Sequence, residues 1–179
     1  SSSQKFLTME LRPYQEKVNK DKKEEEIKPD KSFELELWTW DEYEVPTLQT
    51  RSRYSHPQYS KYIYDITSQK LTEVAPGHAD LLEPDRAEEI HYVLYTDETP
   101  YRSQKDWLNE MPFDIYSVNV HTGEKQLVGR SYRTRPRWSV NGKWAVMYDP
   151  VAQVWNKFDG KTGEVTDIST AIGYPIFEE

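Results

Sequence analysis

The sequence predicts an all-β chain, and three observations carry that prediction. Aromatic residues make up 13% of the 179 positions although apolar residues reach only 36%, a bias that suits half-buried pleated strands better than helices. Short apolar runs alternate with polar residues in the two-residue period of a strand. Glycine closes short polar loops at Gly142 and Gly163, where a tight hairpin calls for positive φ.

The bulk numbers set bounds on that chain. At this length it forms one domain, able to bury roughly 70% of its unfolded surface. A net charge of −8 argues against nucleic acid and anionic membrane as partners, because a phosphate binder needs clustered Lys and Arg to release counterions. With no cysteine, disulfides, thiolate metal sites and cysteine nucleophiles are excluded together. No apolar run approaches the roughly 18 residues of a membrane helix. The opening SSSQKFLTMELR lacks the apolar core of a signal peptide and an initiator Met, so the chain is expected to be part of a longer protein.

The elements follow in order. Residues 5–11, KFLTMEL, read as a short strand ended by Arg12-Pro13. Residues 16–31 carry twelve charges in sixteen positions, too little apolar surface to offset their ordering, so 16–32 are expected to form a charged loop. In SFELELWTWDEYEVP, Phe33, Leu35 and Leu37 alternate with Glu34 and Glu36. Trp38 and Trp40 fall on the opposite parity, which predicts a strand buried on both faces or bulged. Residues 61–75 give two strands around a polar turn at 67–70, and 89–97 give another. A polar insertion spans 99–112 between Pro100 and Pro112, and the rest reads as strand, turn, strand. In RPRWSVNGKWAVMYD and its sequel, the two glycine turns imply three short antiparallel strands.

Self-comparison then decides the architecture. DIYSVNVHTGEKQLVG (114–129) and QVWNKFDGKTGEVTDIS (153–169) align as aromatic strand, turn and strand, with Thr122-Gly123-Glu124 and Thr162-Gly163-Glu164 forty residues apart. KYIYDITSQKLTEVA is a third copy without the glycine. A period of about 40 residues built of short strands is the signature of propeller blades. The expectation is a partial β-propeller of about three to four blades, 1–179 forming a single segment. Within it, 1–15 end a preceding blade, 33–75, 76–129 and 130–170 are blade-like units, and 171–179 start the next. The tryptophans at 38, 40, 138, 144 and 155 are expected to pack between sheets.

The residues also carry a family resemblance. PRWSVNGKWAVMYDPVAQVWNKFDGKTGEVTDIST resembles the propeller repeat of prolyl oligopeptidase-type serine peptidases and of Tol-system propellers. ELWTWDEYEVPTLQTR, preceded by its Lys/Glu-rich loop, is similar to the N-terminal propeller of large bacterial, dipeptidyl-peptidase-like members. The resemblance implies a fragment of a seven- or eight-bladed propeller. In that family a separate hydrolase domain holds the nucleophile on a G-x-S-x-G elbow, and the propeller restricts entry to small peptides. It further implies a periplasmic or secreted setting, with the peptide substrate and the parent protein's hydrolase domain as partners. This chain contains no G-x-S-x-G, so no catalytic, cofactor-binding or metal residue is assigned within it. A fragment whose end blades lack neighbours is expected to associate with itself.

Other candidates read as structural. His56, His78, His91 and His121 are too scattered for a metal motif. Asp41, Glu42 and Glu44 could suggest glycoside chemistry in an independent enzyme, but they read as a charged turn. DLLEPDRAEEI (80–90) lacks the order of a calcium loop and reads as an acidic surface loop. Trp107, with Tyr101 and Arg102, is the choice for a ligand or partner contact, because inserted loops on rigid scaffolds often carry function. The rival reading of the whole chain is a stand-alone propeller that binds partners in the bacterial envelope.

Overall fold

The computed structural model describes residues 5–12, 59–85, 87, 89–105 and 107–172. The charged loop at 16–32, the Trp38 and Trp40 strand, the Asp41, Glu42 and Glu44 cluster, His56 and residues 173–179 lie outside the described residues. Among those described, eleven strands form three antiparallel sheets. The first holds β1 (Phe6–Leu11), β2 (Ser60–Asp65) and β3 (Lys70–Ala75). The middle sheet holds β4 (Asp80–Leu82), β5 (Tyr92–Asp97), β6 (Phe113–Asn119) and β7 (Lys125–Tyr132). The third holds β8 (Arg137–Trp138), β9 (Trp144–Asp149), β10 (Val154–Asp159) and β11 (Val165–Asp167). Strand order in every sheet follows the chain, so each is a meander, all-β as the aromatic bias predicts.

The sheets stack in chain order around two cores, and strand parity explains how. On β5, Val93 and Tyr95 join Val118 of β6 with Ile63 and Val74 of the first sheet. Their neighbours Leu94, Phe113 and Ile115 point the other way and join Ala145, Met147 and Phe158 of the third sheet. The middle sheet is thus covered on both faces, which is why YVLYTD reads as a nearly continuous apolar run instead of a clean alternation. Fully burying one such Leu, Ile or Val contributes about 1.5–3 kcal/mol, and Val93, Leu94, Ile115 and Val118 are all at 0% exposure.

One turn design recurs where the central strands reverse. Asp65, Asn119, Asp149 and Asp159 each end a strand, and one side-chain oxygen of each accepts hydrogen bonds from the backbone N–H groups two and three residues on. The distances run from 2.8 Å for Asp65 with Thr67 to 3.3 Å for Asp65 with Ser68, and the other turns lie between. The residue four positions on then takes positive φ: Gln69 at 55°, Gly123 at 79°, Gln153 at 56° and Gly163 at 78°. In both glycine turns that residue's N–H donates back to the carbonyl of the Asx residue, at 2.8 and 2.9 Å. The forty-residue repeat is therefore a repeat of geometry, and the copy without glycine reaches the same backbone shape with Gln69.

Three findings differ from the sequence reading. Residues 80–82 form β4 instead of the start of an acidic loop, because Leu81 packs into the first core and Leu82 into the second. The stretch from 137 to 167 holds four strands instead of three, since Asp149 and Gln153 make a hairpin with no glycine. Pairing of β1 with β2, Phe6 opposite Asp65, places 6–11 in one sheet with 60–75. Of the described tryptophans at 138, 144 and 155, Trp138 packs between sheets and its indole N–H donates to the Leu82 carbonyl at 3.0 Å. Trp155 leans on Tyr148, ring centres 5.4 Å apart, and Trp144 is 42% exposed.

Candidate functional site

The insertion after β5 begins as a 3-10 turn, Thr99–Gln104, with Pro at its start. Asp97, at the end of β5, accepts a hydrogen bond from the Thr99 N–H at 2.8 Å and lies 3.5 Å from His78. Burial works to raise the Asp97 carboxyl, but the bonds from Thr99 and the nearby His78 outweigh it and hold the group below the ordinary aspartate value. Opposite Asp97 on β6 stands Asp114, 5% exposed. Asp114 Oδ1 accepts from the Tyr101 hydroxyl at 2.5 Å and from the Ser131 N–H at 3.1 Å.

These contacts separate the three residues singled out in the insertion. Tyr101 ties the insertion to the middle sheet. Burial raises its phenol, and the bond to Asp114 raises it further, so it stays a proton donor and is a poor base. Arg102 is exposed, and Trp107 is exposed to 86%. A surface aromatic this bare is a large, rigid contact area without a partner in the described residues.

Ser131 follows Gly129 at the spacing of the first half of a nucleophile elbow, GRSYR, with φ of 57°. Arg133 replaces the closing glycine, and the serine lies within β7, not at a strand-to-helix turn. Its neighbour is the protonated Tyr101. The bulged backbone aims the Ser131 N–H at Asp114.

At the opposite end of the same strands two of the histidines that look scattered in sequence, His91 and His121, come together. The His91 and His121 rings are 5.5 Å apart, and Phe6 lies 6.1 Å from His121. Glu89 sits 3.8 Å from His91 and pairs with Lys5 at 3.2 Å, while Lys70 Nζ donates to the His121 carbonyl. Lys5, through its hydrogen bond and charge, holds the Glu89 carboxyl below its ordinary value. The cluster bridges the first and middle sheets. Among the described residues no group of three or more His, Asp and Glu is arranged to hold a metal ion.

A groove of about 470 Å³ runs between residues 126–128 of β7 and 162–166 leading into β11. Among the described residues both strands are last in their sheets, so each offers a backbone edge with no described partner. The lining mixes Gln126, Thr166 and Glu164 with Leu127 and Val165, groups suited to hydrogen bonding and apolar contact, with no paired nucleophile and base. No family model matches the chain, and no curated protein matches it. Sequence reasoning missed the Tyr101–Asp114 strut, the histidine pair and the groove, all built from residues distant in the chain.

Proposed function

We propose that the chain is a non-catalytic β-propeller segment of a prolyl oligopeptidase-like serine peptidase, whose role is to restrict peptide access to a hydrolase domain. One observation carries this reading: three antiparallel meanders stack face to face in chain order, with matching Asx turns forty residues apart. Radial sheets in a propeller bury their faces in the same way, each against the sheet that follows it. The sites described favour binding over chemistry. On this reading Trp107 and Arg102, held out on the insertion by the Tyr101 strut, contact the peptide substrate or the hydrolase domain.

The test uses the protein expressed from its complete reading frame and a fluorophosphonate probe that labels activated serines. The reading expects labelling outside residues 1–179, and a Trp107→Ala variant whose labelling is unchanged while its KM for a peptide rises against that for a small ester. A full-length protein that takes no label and cleaves no peptide overturns it in favour of a binding propeller of the bacterial envelope. Label on a residue of this chain overturns the non-catalytic role.

A further inference from the structure

We propose that Asn141 is a site of spontaneous deamidation and isoaspartate formation, and that opening of the β8–β9 hairpin sets its rate. Asn141 is the one asparagine of the sequence followed by glycine; Asn19, Asn109, Asn119 and Asn156 precede Lys, Glu, Val and Lys. The reaction needs the backbone nitrogen of the next residue to reach the side-chain carbonyl carbon, and glycine has no Cβ to obstruct the approach. Asn141 is exposed at the tip of the hairpin, with water at hand for the later hydrolysis.

The folded turn engages both reacting groups. The Gly142 N–H donates to the Ser139 carbonyl at 2.9 Å. Asn141 Oδ1 accepts from the Ser139 hydroxyl at 3.0 Å and from the Lys143 N–H at 3.2 Å. Gly142 itself, at φ of 67°, is seated so closely on the middle sheet's connection that an added Cβ would lie 2.8 Å from Ala87 and 2.9 Å from Pro84. Lys143 anchors the far side, its carbonyl accepting from the Gly160 N–H at 2.9 Å. Attack therefore waits on a local opening that frees the Gly142 nitrogen from Ser139.

Once open, the Gly142 nitrogen bonds to Asn141 Cγ, its proton is lost, and the side-chain nitrogen leaves as ammonia. Water then adds to either carbonyl of the cyclic imide. One product is aspartate, whose carboxylate still accepts from Ser139 and Lys143. The other is isoaspartate, in which the main chain runs through the side-chain methylene and gains an atom between residues 141 and 142. That extra atom shifts Gly142 off Pro84 and Ala87, beside the Trp138 bond to Leu82 that joins the third sheet to the middle one. Only the isoaspartyl product loosens the sheet contact.

The full chain is incubated at mildly alkaline pH, folded and in unfolding urea, and followed by peptide mass mapping and by an isoaspartate-specific carboxyl methyltransferase with a labelled methyl donor. We expect acid and isoaspartate at 141 ahead of every other asparagine. The rate should be at least about tenfold slower in the folded chain than in the unfolded one, and should climb in urea too dilute to unfold the protein, as local opening requires. Asn141→Gln removes the signal. Equal rates folded and unfolded, earlier conversion at another asparagine, or no conversion at 141 in the folded chain while the unfolded chain reacts to completion would each overturn the proposal.

Discussion

Replacing Phe158 with alanine should remove a large share of the chain's stability. Phe158 is fully buried between the middle and third sheets, and its ring meets two others edge-on: Tyr92 at 6.2 Å and 82°, and Trp138 at 5.8 Å and 88°. Removing a buried phenylalanine costs about 3–5 kcal/mol. Each edge-to-face contact is worth about 0.5–1.5 kcal/mol beyond area burial, so the cost belongs at the upper end of that range. Against a total stability of about 5–15 kcal/mol, that is a third of the total or more. Urea unfolding followed by tryptophan fluorescence reads the change, and Phe158→Leu, which keeps much of the apolar volume but loses both ring contacts, should cost about 1–3 kcal/mol. A double-mutant cycle with Tyr92→Leu should give a coupling of about 0.5–1.5 kcal/mol. A loss below about 1 kcal/mol for Phe158→Ala would refute the claim that this ring joins the two sheets.

The repeated turn makes opposite predictions at its four copies, each read by thermal or urea unfolding. Gly163→Ala should destabilise more than Gly123→Ala, since both take left-handed φ but the new Cβ meets the Tyr92 ring at 3.0 Å in one and Thr72 at 3.4 Å in the other. Gln69→Gly and Gln153→Gly should instead stabilise by about 0.5 kcal/mol, the relief of left-handed strain exceeding the entropy glycine adds to the unfolded chain. Burial raises the Tyr95 phenol to about 12, and the nearby Tyr116, Asp97 and Glu73 add to the effect; Tyr132 is raised as well, chiefly by burial. A raised folded value favours the fold below the ordinary tyrosine value of 10.0, and that advantage is lost as pH climbs towards 12. Alkaline titration should therefore bring out the last of the tyrosinate absorbance together with the loss of near-UV dichroism. Free ionisation of every tyrosine near pH 10 with the fold intact would contradict it. Tyr101→Phe, which among the described residues leaves the buried Asp114 with the Ser131 N–H alone, should cost about 1–3 kcal/mol. Trp107→Ala should stay within about 0.5 kcal/mol, and an equal cost for the two would sink the strut.

What the sequence disclosed and what it hid follow from the range of the interactions. Turns at 66–69, 119–124 and 159–164 are local devices, written as an Asx residue with a Thr or Ser and a Gly or Gln close behind, and the strands flanking them were legible. The Asp149 turn has the same Asx residue but puts Val151 and Ala152 where the others carry Thr, Ser, His or Lys, so its strands read as one run. β4 was hidden because three residues among acids carry no period, and its two leucines declare themselves only once sheets lie on both sides. The union of β1 with β2 crosses the whole stretch 12–59, a distance over which no local pattern operates. For the same reason Tyr101 was legible as a candidate but its partner was not: Asp114 lies beyond the insertion, and only the closure of β5 on β6 brings the two together.

The stacking order of the sheets is tested most directly by hydrogen exchange resolved along the chain. With both faces of the middle sheet covered, the paired amides of β5 and β6 should be the slowest in the protein, exchanging only on global unfolding. Those of β1 and β11, at sheet edges, should exchange by local opening many times faster. Equal protection of β11 and β5, or β5 and β6 exchanging ahead of the outer strands, would contradict a middle sheet enclosed by its two neighbours.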